Sequence, residues 1–343
     1  MTLGNPGRRN SITDIKGILV GNAHNARMKT GVTAVICKKP TIASVAIHGG
    51  APGTRDTELL EPHNTVDGVD ALVLSGGSAF GLDSASGVQA YLREQGRGFQ
   101  IGPVNIPIVP GAILFDMING GNKDWNRYPP YRELGFKAAQ AASREFVTGT
   151  AGAGFGALVA GLKGGLGTAS IKLPNGITVA ALIAVNALGS PMLGTKGHFR
   201  AATFERKKEF GGLGLPEKLP ENADDLRIKF RDHASGITNT TIGVVATDAV
   251  IDKAQAKRLA VAAHDGIAHA IWPAHTPLDG DLLFSLATGS SKITPNVNDW
   301  IDLSAASASV VARAISNAVY DAKSEKTDLH PSWKQVYAGE HKH

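Results

Sequence analysis

The chain has 343 residues with 43% apolar and 19% charged side chains, enough to build one large layered domain or two smaller ones and too apolar for a disordered chain. Its net charge is +5, with no dense basic stripe and no interleaved aromatics, so nucleic acid is not an expected partner. A single cysteine, Cys37, excludes an intramolecular disulfide; the longest apolar run, 177–188, is too short to span a bilayer; and the opening MTLGNPGRRNSITD lacks the apolar core of a secretory signal. Together these predict a cytoplasmic protein without membrane contacts.

Residues 1–11 are expected as a flexible arm, 12–323 as one domain and 324–343 as a tail. The apolar run 71–74 has strand character, breaks at Ser75-Gly76-Gly77-Ser78 and leads into a helical pattern over 79–94; a second helix is predicted over 131–145. Residues 165–173 and 177–187 form two strands joined by Pro174-Asn175-Gly176, and Asn-Gly between β-type runs signals a hairpin. Residues 195–238 are rich in charge, Gly and Pro. A connection of this length without apolar pattern is expected to be mobile or functional. Order returns with the β-branched run 240–247. Asp252 is placed to cap a helix carrying Leu259, Ala263, Ile267 and Ile271 on one face; a strand follows at 281–288 and a last helix at 303–322. Strict strand–helix alternation is absent, which favours an α+β layered sandwich over a doubly wound sheet.

The sharpest local feature is Thr238-Asn239-Thr240-Thr241-Ile242, a polar segment meeting a rigid strand. A threonine hydroxyl is a weak nucleophile, but as the first residue of a chain it can pass its proton to its own α-amine, whose pKa is near ~7.7–8.0. Such a residue has to be freed by cutting a precursor, and the layout around 239/240 suits that cut. Spacing alone equally allows Asn-Thr-Thr to be an ordinary strand start. Other motifs are weaker. Gly76-Gly77-Ser78-Ala79-Phe80 departs from the nucleophile elbow at Phe80, and Gly152–Gly156 lacks the dinucleotide spacing. His264, His269 and His275 lie near Asp279, but H-E-x-x-H is absent and 264 and 269 are five apart, so no metal is expected.

The segments GGAPGTRDTELLEP (49–62), ALVLSGGSAFGLDSASGV (71–88), PIVPGAILFD (107–116), GAGFGALV (152–159), KGGLGTASI (163–171), VAALIAVNALG (179–189), NTTIGVVATDA (239–249) and DGDLLFSLATG (279–289) resemble the S58 peptidase family. That family holds L-aminopeptidase/D-esterases, β-peptidyl aminopeptidases and nylon-type 6-aminohexanoate-oligomer endo-hydrolases. The resemblance spans about residues 12–323. It implies a four-layer αββα sandwich with Ntn-like layering wired as in the L-aminopeptidase/D-esterase and ornithine-acetyltransferase type, and a homo-oligomer, a tetramer in relatives. It also implies self-cleavage after Asn239 into 1–239 and 240–343, with Thr240 as nucleophile and no cofactor or metal. Asn186 matches an asparagine that donates to the oxyanion. Lys163 matches a lysine beside the nucleophile, and Asp279 and Asp281 an acidic pair that binds the Thr240 ammonium or a substrate amine. Two departures stand out. Phe115 occupies a position where some relatives have a tyrosine, leaving Asn186 and backbone N–H groups at Gly111 and Ala112 to hold the oxyanion; His48 stands where relatives often carry arginine. Three functions follow: an aminopeptidase-type amidase on short peptides, an endo-amidase on linear ω-amino-acid oligomers, or an uncleaved, catalytically silent scaffold.

Overall fold

A computed structural model describes residues 3–230 and 239–339. Residues 231–238, the last part of the polar connection, lie outside the described residues. The first sheet elements are β1 (Ile18–Asn25), β2 (Thr30–Ile47), β3 (Thr54–Arg55) and β4 (Val69–Ser75). The turn after β4 enters a short 3-10 segment, so the helix predicted over 79–94 becomes α1 (Ser84–Glu94). A small hairpin of β5 (Phe99–Ile101) and β6 (Val104–Ile106), then β7 (Gly111–Ile113) and α2 (Tyr131–Gln140), complete the first half. After β8 (Leu158–Val159) and β9 (Leu162–Lys163) comes the predicted hairpin, β10 (Gly165–Lys172) and β11 (Thr178–Asn186), with Gly176 at φ +94° in its turn. A short hairpin, β12 (Met192–Leu193) with β13 (His198–Phe199), leads into the polar connection. The last half runs through β14 (Thr240–Thr247), α3 (Lys253–Ala263), α4 (Asp265–Ala270), β15 (Leu282–Ala287), α5 (Val297–Asp321) and α6 (Trp333–Tyr337). Asp252 caps α3 as expected, its side chain taking the N–H of Gln255. Helix α5 begins six residues before the predicted start because Asn296 and Asp299 form a capping box there.

The strands run in the order β10-β11-β14-β15-β2-β4-β7-β3, with β1 on β2. The 18-residue β2 threads two sheets. Its first half pairs with β1 and β4, its register shifts between Ile36 and Thr41, and its last residues, Ile42 to Ile47, pair with β15. Side-chain alternation then builds the layers. From β11, Ala180, Leu182 and Ala184 face Leu72, Leu74 and Val35 of the other sheet, while Ala181, Ile183 and Val185 face α3, α4 and α5. Val32, Ala34, Ala71 and Val73 turn the opposite way, onto α1 and α2. The result is the expected α+β sandwich, helices outside two sheets. A strand such as β11 is buried on both faces, which is why its sequence reads as an unbroken apolar run.

The N-terminal segment behaves otherwise than its polar sequence suggests. Asn5 exchanges backbone hydrogen bonds with Lys172, and the Asn10 side chain accepts from Arg313. Arg313, fully buried on α5, also donates to Glu209 at 2.6 and 2.8 Å and to the Ser170 carbonyl. A buried guanidinium needs such partners, and it finds them in the arm and in the polar connection.

Candidate active site

The ends of β11, β14 and β2 and the start of β15 meet at one edge of the central sheet. Asn186 closes β11 directly opposite Thr240, which opens β14. The antiparallel register therefore puts two residues 54 positions apart side by side. Beyond Thr240 the chain continues into a parallel bridge between Asn239 and Asp279. The Asn239 N–H donates to Leu278 O, and the Asn239 carbonyl accepts the Gly280 N–H at 2.7 Å. The buried Thr240 hydroxyl donates to that same carbonyl at 2.5 Å. The Asn239–Thr240 peptide thus carries a hydroxyl on one side and a fixed N–H donor on its oxygen.

The acidic pair organises this loop. Asp281 Oδ1 accepts the Thr241 N–H at 2.7 Å, and its Oδ2 accepts both the backbone N–H and Nδ1–H of His275 at 3.0 Å. Asp279 Oδ2 accepts the backbone N–H and hydroxyl of Thr276. Burial pushes the Asp279 carboxyl above its usual range, and the charge of Asp281 adds to the effect. Both carboxylates thus serve backbone donors around Thr240.

Asn186 is fully engaged. Its Nδ2 donates to the Phe115 carbonyl at 2.8 Å, and its Oδ1 accepts from Leu158 N and from Lys229 Nζ. Phe115 therefore meets the site through its carbonyl. The backbone donor on the Asn239 oxygen is Gly280, a residue the sequence did not single out. Gly111 and Ala112 form β7 between β4 and β3 and are committed to pairing there. Lys163 sits in a neighbouring cluster: its ammonium donates to Phe155 O at 3.2 Å and lies 3.6 Å from Asp328, which also pairs with Lys29 at 2.8 Å. Burial lowers its pKa.

Lys229 was hidden inside a stretch that reads as polar surface. It is buried, and Nζ donates to Leu158 O at 2.8 Å and to both oxygens of Asn186 at 3.1 Å. Burial pushes it down to about 7, against an ordinary ammonium value of ~10.4. Between those values the unfolded chain holds a proton that the folded chain lacks, so stability rises with pH across that window; below about 7 the cost is complete and constant. Thermal melts are expected to show wild type gaining stability relative to Lys229→Met as pH rises from about 7 to ~10. Equal slopes for both proteins would refute a neutral Lys229.

Three histidines also converge. His48 stacks on His264 at 3.8 Å between ring centroids, His264 Nδ1 lies 3.4 Å from His275 Nε2, and burial drives His264 down to about 3. They are the group among the described residues with the spacing to hold a metal ion. The sequence offered His264 and His275 but paired them with His269, whose ring lies tilted against Phe204 instead, 5.1 Å between centroids. A cavity of 10 Å³ bounded by Phe115, Leu158, Asn186, Lys229 and Asn239 adjoins the site. A larger surface cleft of 540 Å³ is lined by residues between Leu193 and Pro220 and includes none of these residues.

This sandwich, with a threonine opening a central strand against an asparagine and a carboxylate-braced loop, defines the class: an Ntn-type hydrolase fold. The chain belongs to peptidase family S58, whose model matches residues 10–330. It is 41% identical to an uncharacterized aminopeptidase of Mycobacterium tuberculosis, over 92% of this chain and 94% of the relative. It is 26% identical to a 6-aminohexanoate-oligomer endohydrolase of a Kocuria strain, over 82% and 76%. A Burkholderia beta-aminopeptidase superposes with a TM-score of 0.72 at 23% identity, covering 99% of this chain and 95% of that one. The L-aminopeptidase D-Ala-esterase/amidase of Ochrobactrum anthropi, titled a variant among the Ntn hydrolase fold, gives 0.65 at 21%, covering 96% and 91%. Among the described residues no helix is long and apolar enough to cross a membrane.

Proposed function

We propose that this chain cuts its own Asn239–Thr240 bond and then works as an N-terminal-threonine amide hydrolase on short peptides or linear amino-acid oligomers. The observation that carries the proposal is the Thr240 hydroxyl 2.5 Å from the Asn239 carbonyl oxygen, which Gly280 N–H already polarises. In maturation Thr240 Oγ bonds to the Asn239 carbonyl carbon, negative charge collects on an oxygen held by Gly280, and the C–N bond breaks as the amine takes the hydroxyl proton. Water hydrolyses the resulting ester, leaving a carboxylate on Asn239 and a free α-amine on Thr240. In turnover that amine takes the Thr240 proton, Oγ attacks a substrate amide, the leaving amine departs protonated, and water releases the acyl group.

Cleavage has to come first. A free volume of 10 Å³ holds about one water molecule, whereas small-molecule sites need ~300 Å³ or more. Departure of the new chain end at 239 would open this space beside Asn186 and Lys229. The 41% relatives named aminopeptidases favour the peptide substrate; the oligomer endohydrolases, at 26%, support the second reading. Intact mass spectrometry after incubation is expected to show fragments 1–239 and 240–343, followed by release of amine from a β-alanyl amide in preference to a 6-aminohexanoate oligomer. A persistently full-length chain, or a junction elsewhere, defeats the proposal; the opposite substrate order selects the second reading.

A further inference from the structure

We propose that His48, His264 and His275 form a binding site for one zinc-class divalent transition-metal ion, with a fourth coordination position open to solvent. The residues come from three separate segments: the end of β2, the junction of α3 and α4, and the loop before β15. Their candidate ligand atoms all lie within 4.8 Å of one another.

The hydrogen bonds fix which nitrogens are free. His264 Nε2 lies 2.9 Å from the Ala46 carbonyl, which only accepts, so Nε2 carries the hydrogen and Nδ1 presents a lone pair. His275 Nδ1 lies 3.0 Å from the Asp281 carboxylate, so it carries the hydrogen and Nε2 presents a lone pair. These two lone pairs face each other at 3.4 Å. Two bare acceptors at that distance repel; an electrophile between them resolves the conflict. Zinc–nitrogen bonds of ~2.0–2.1 Å at tetrahedral angles separate two nitrogens by about 3.3 Å, so the pair needs almost no movement. His48 is solvent-exposed and can swing from its stack on His264 to supply the third nitrogen.

The surrounding contacts are those a metal-bound imidazole uses. One ring donates to a carboxylate and the other to a backbone carbonyl, which sets both tautomers and orients both rings. His275 sits at φ +56°, a left-handed conformation that histidine adopts more readily than most side chains, with its N–H bonded to Asp281. Asp281 in turn accepts the Thr241 N–H. An ion here would clamp the end of β2 to the loop before β15 and stiffen the carboxylate that braces the start of β14.

The test uses untagged full-length protein, stripped with chelator and titrated with zinc and cobalt(II), with Thr240→Ala protein in parallel so that the result is independent of processing. One equivalent of metal per chain is expected, with an intense tetrahedral cobalt absorption and a higher melting temperature. His48→Gln and His275→Gln are each expected to weaken binding by at least ~100-fold, since even an outer-shell loss costs ~10–100-fold. The controls His269→Gln and the double variant His341→Gln/His343→Gln should bind as wild type. Buried His264 is left intact to preserve folding. Absence of stoichiometric binding, which would leave a shared proton between the two rings, overturns the proposal. So does binding that survives in His48→Gln and His275→Gln, or that disappears with the terminal pair.

Discussion

Thr240→Ala is expected to remain a single polypeptide near the 35.7 kDa of the whole chain on denaturing electrophoresis, and to show no amide hydrolysis. The hydroxyl at 240 touches the carbonyl of the Asn239–Thr240 bond, where the cut is proposed; the next hydroxyl, on Thr241, belongs to the opposite face of β14 by strand alternation. No neighbouring group therefore inherits the attack. The fold should survive. The Asn239 carbonyl keeps the Gly280 N–H, Thr241 N keeps Asp281, and the β11–β14 ladder does not involve the lost side chain. A melting curve close to wild type separates lost chemistry from lost folding. Thr240→Ser retains the hydroxyl and is expected to process. Cleavage at 239/240 in the alanine variant would remove Thr240 from its assigned role.

The second large effect is expected at Gly280. Its N–H donates to the Asn239 oxygen, where the proposed cut would develop negative charge, and losing one such donor costs ~10²–10³ in rate, ~2.7–4 kcal/mol. A Cβ at this position would sit 2.6 Å from the Ala51 carbonyl oxygen and 2.9 Å from Thr240 Oγ1. The first is backbone and cannot rotate away, so the loop has to shift, taking the N–H off the oxygen and pressing on the attacking hydroxyl. Gly280 has no left-handed φ, so the effect is steric and confined to this contact. Gly280→Ala should slow maturation by ~10²-fold, followed as the loss of full-length chain with time. Gly339→Ala, where a Cβ meets nothing within 4 Å, should mature normally. Wild-type kinetics in Gly280→Ala would show that the Gly280 donor does not serve the cut.

How much of this was legible beforehand depends on the range of the interaction. The β10–β11 hairpin and the strand beginning at Thr240 were readable because turn chemistry and β-branched runs act within a few residues. The helix predicted over 131–145 stops at Gln140, and 79–94 loses its first turn to a 3-10 segment, because ends are settled by packing more than by periodicity. The partners of the arm were hidden for a related reason: nothing in its polar sequence shows that a buried Arg313 takes Asn10 as an acceptor. Lys229 shows the same limit more sharply. Nothing in a charged, proline-rich stretch announces that one lysine turns inward onto Asn186.

By itself the sequence determined the layering and the family, since each follows from local patterns or from matched segments, and it singled out the Asn239–Thr240 bond as the place of the proposed cut. Only the tertiary structure decided what surrounds that bond. The β11–β14 register set Asn186 against Thr240, the Asn239–Asp279 bridge brought Gly280 N–H to the Asn239 carbonyl, and the turn before β15 set Asp281 and His275 beside two histidines from elsewhere. Those partners lie tens to hundreds of residues apart. Their meeting depends on strand register and burial summed over the whole sandwich, which no local window of sequence contains.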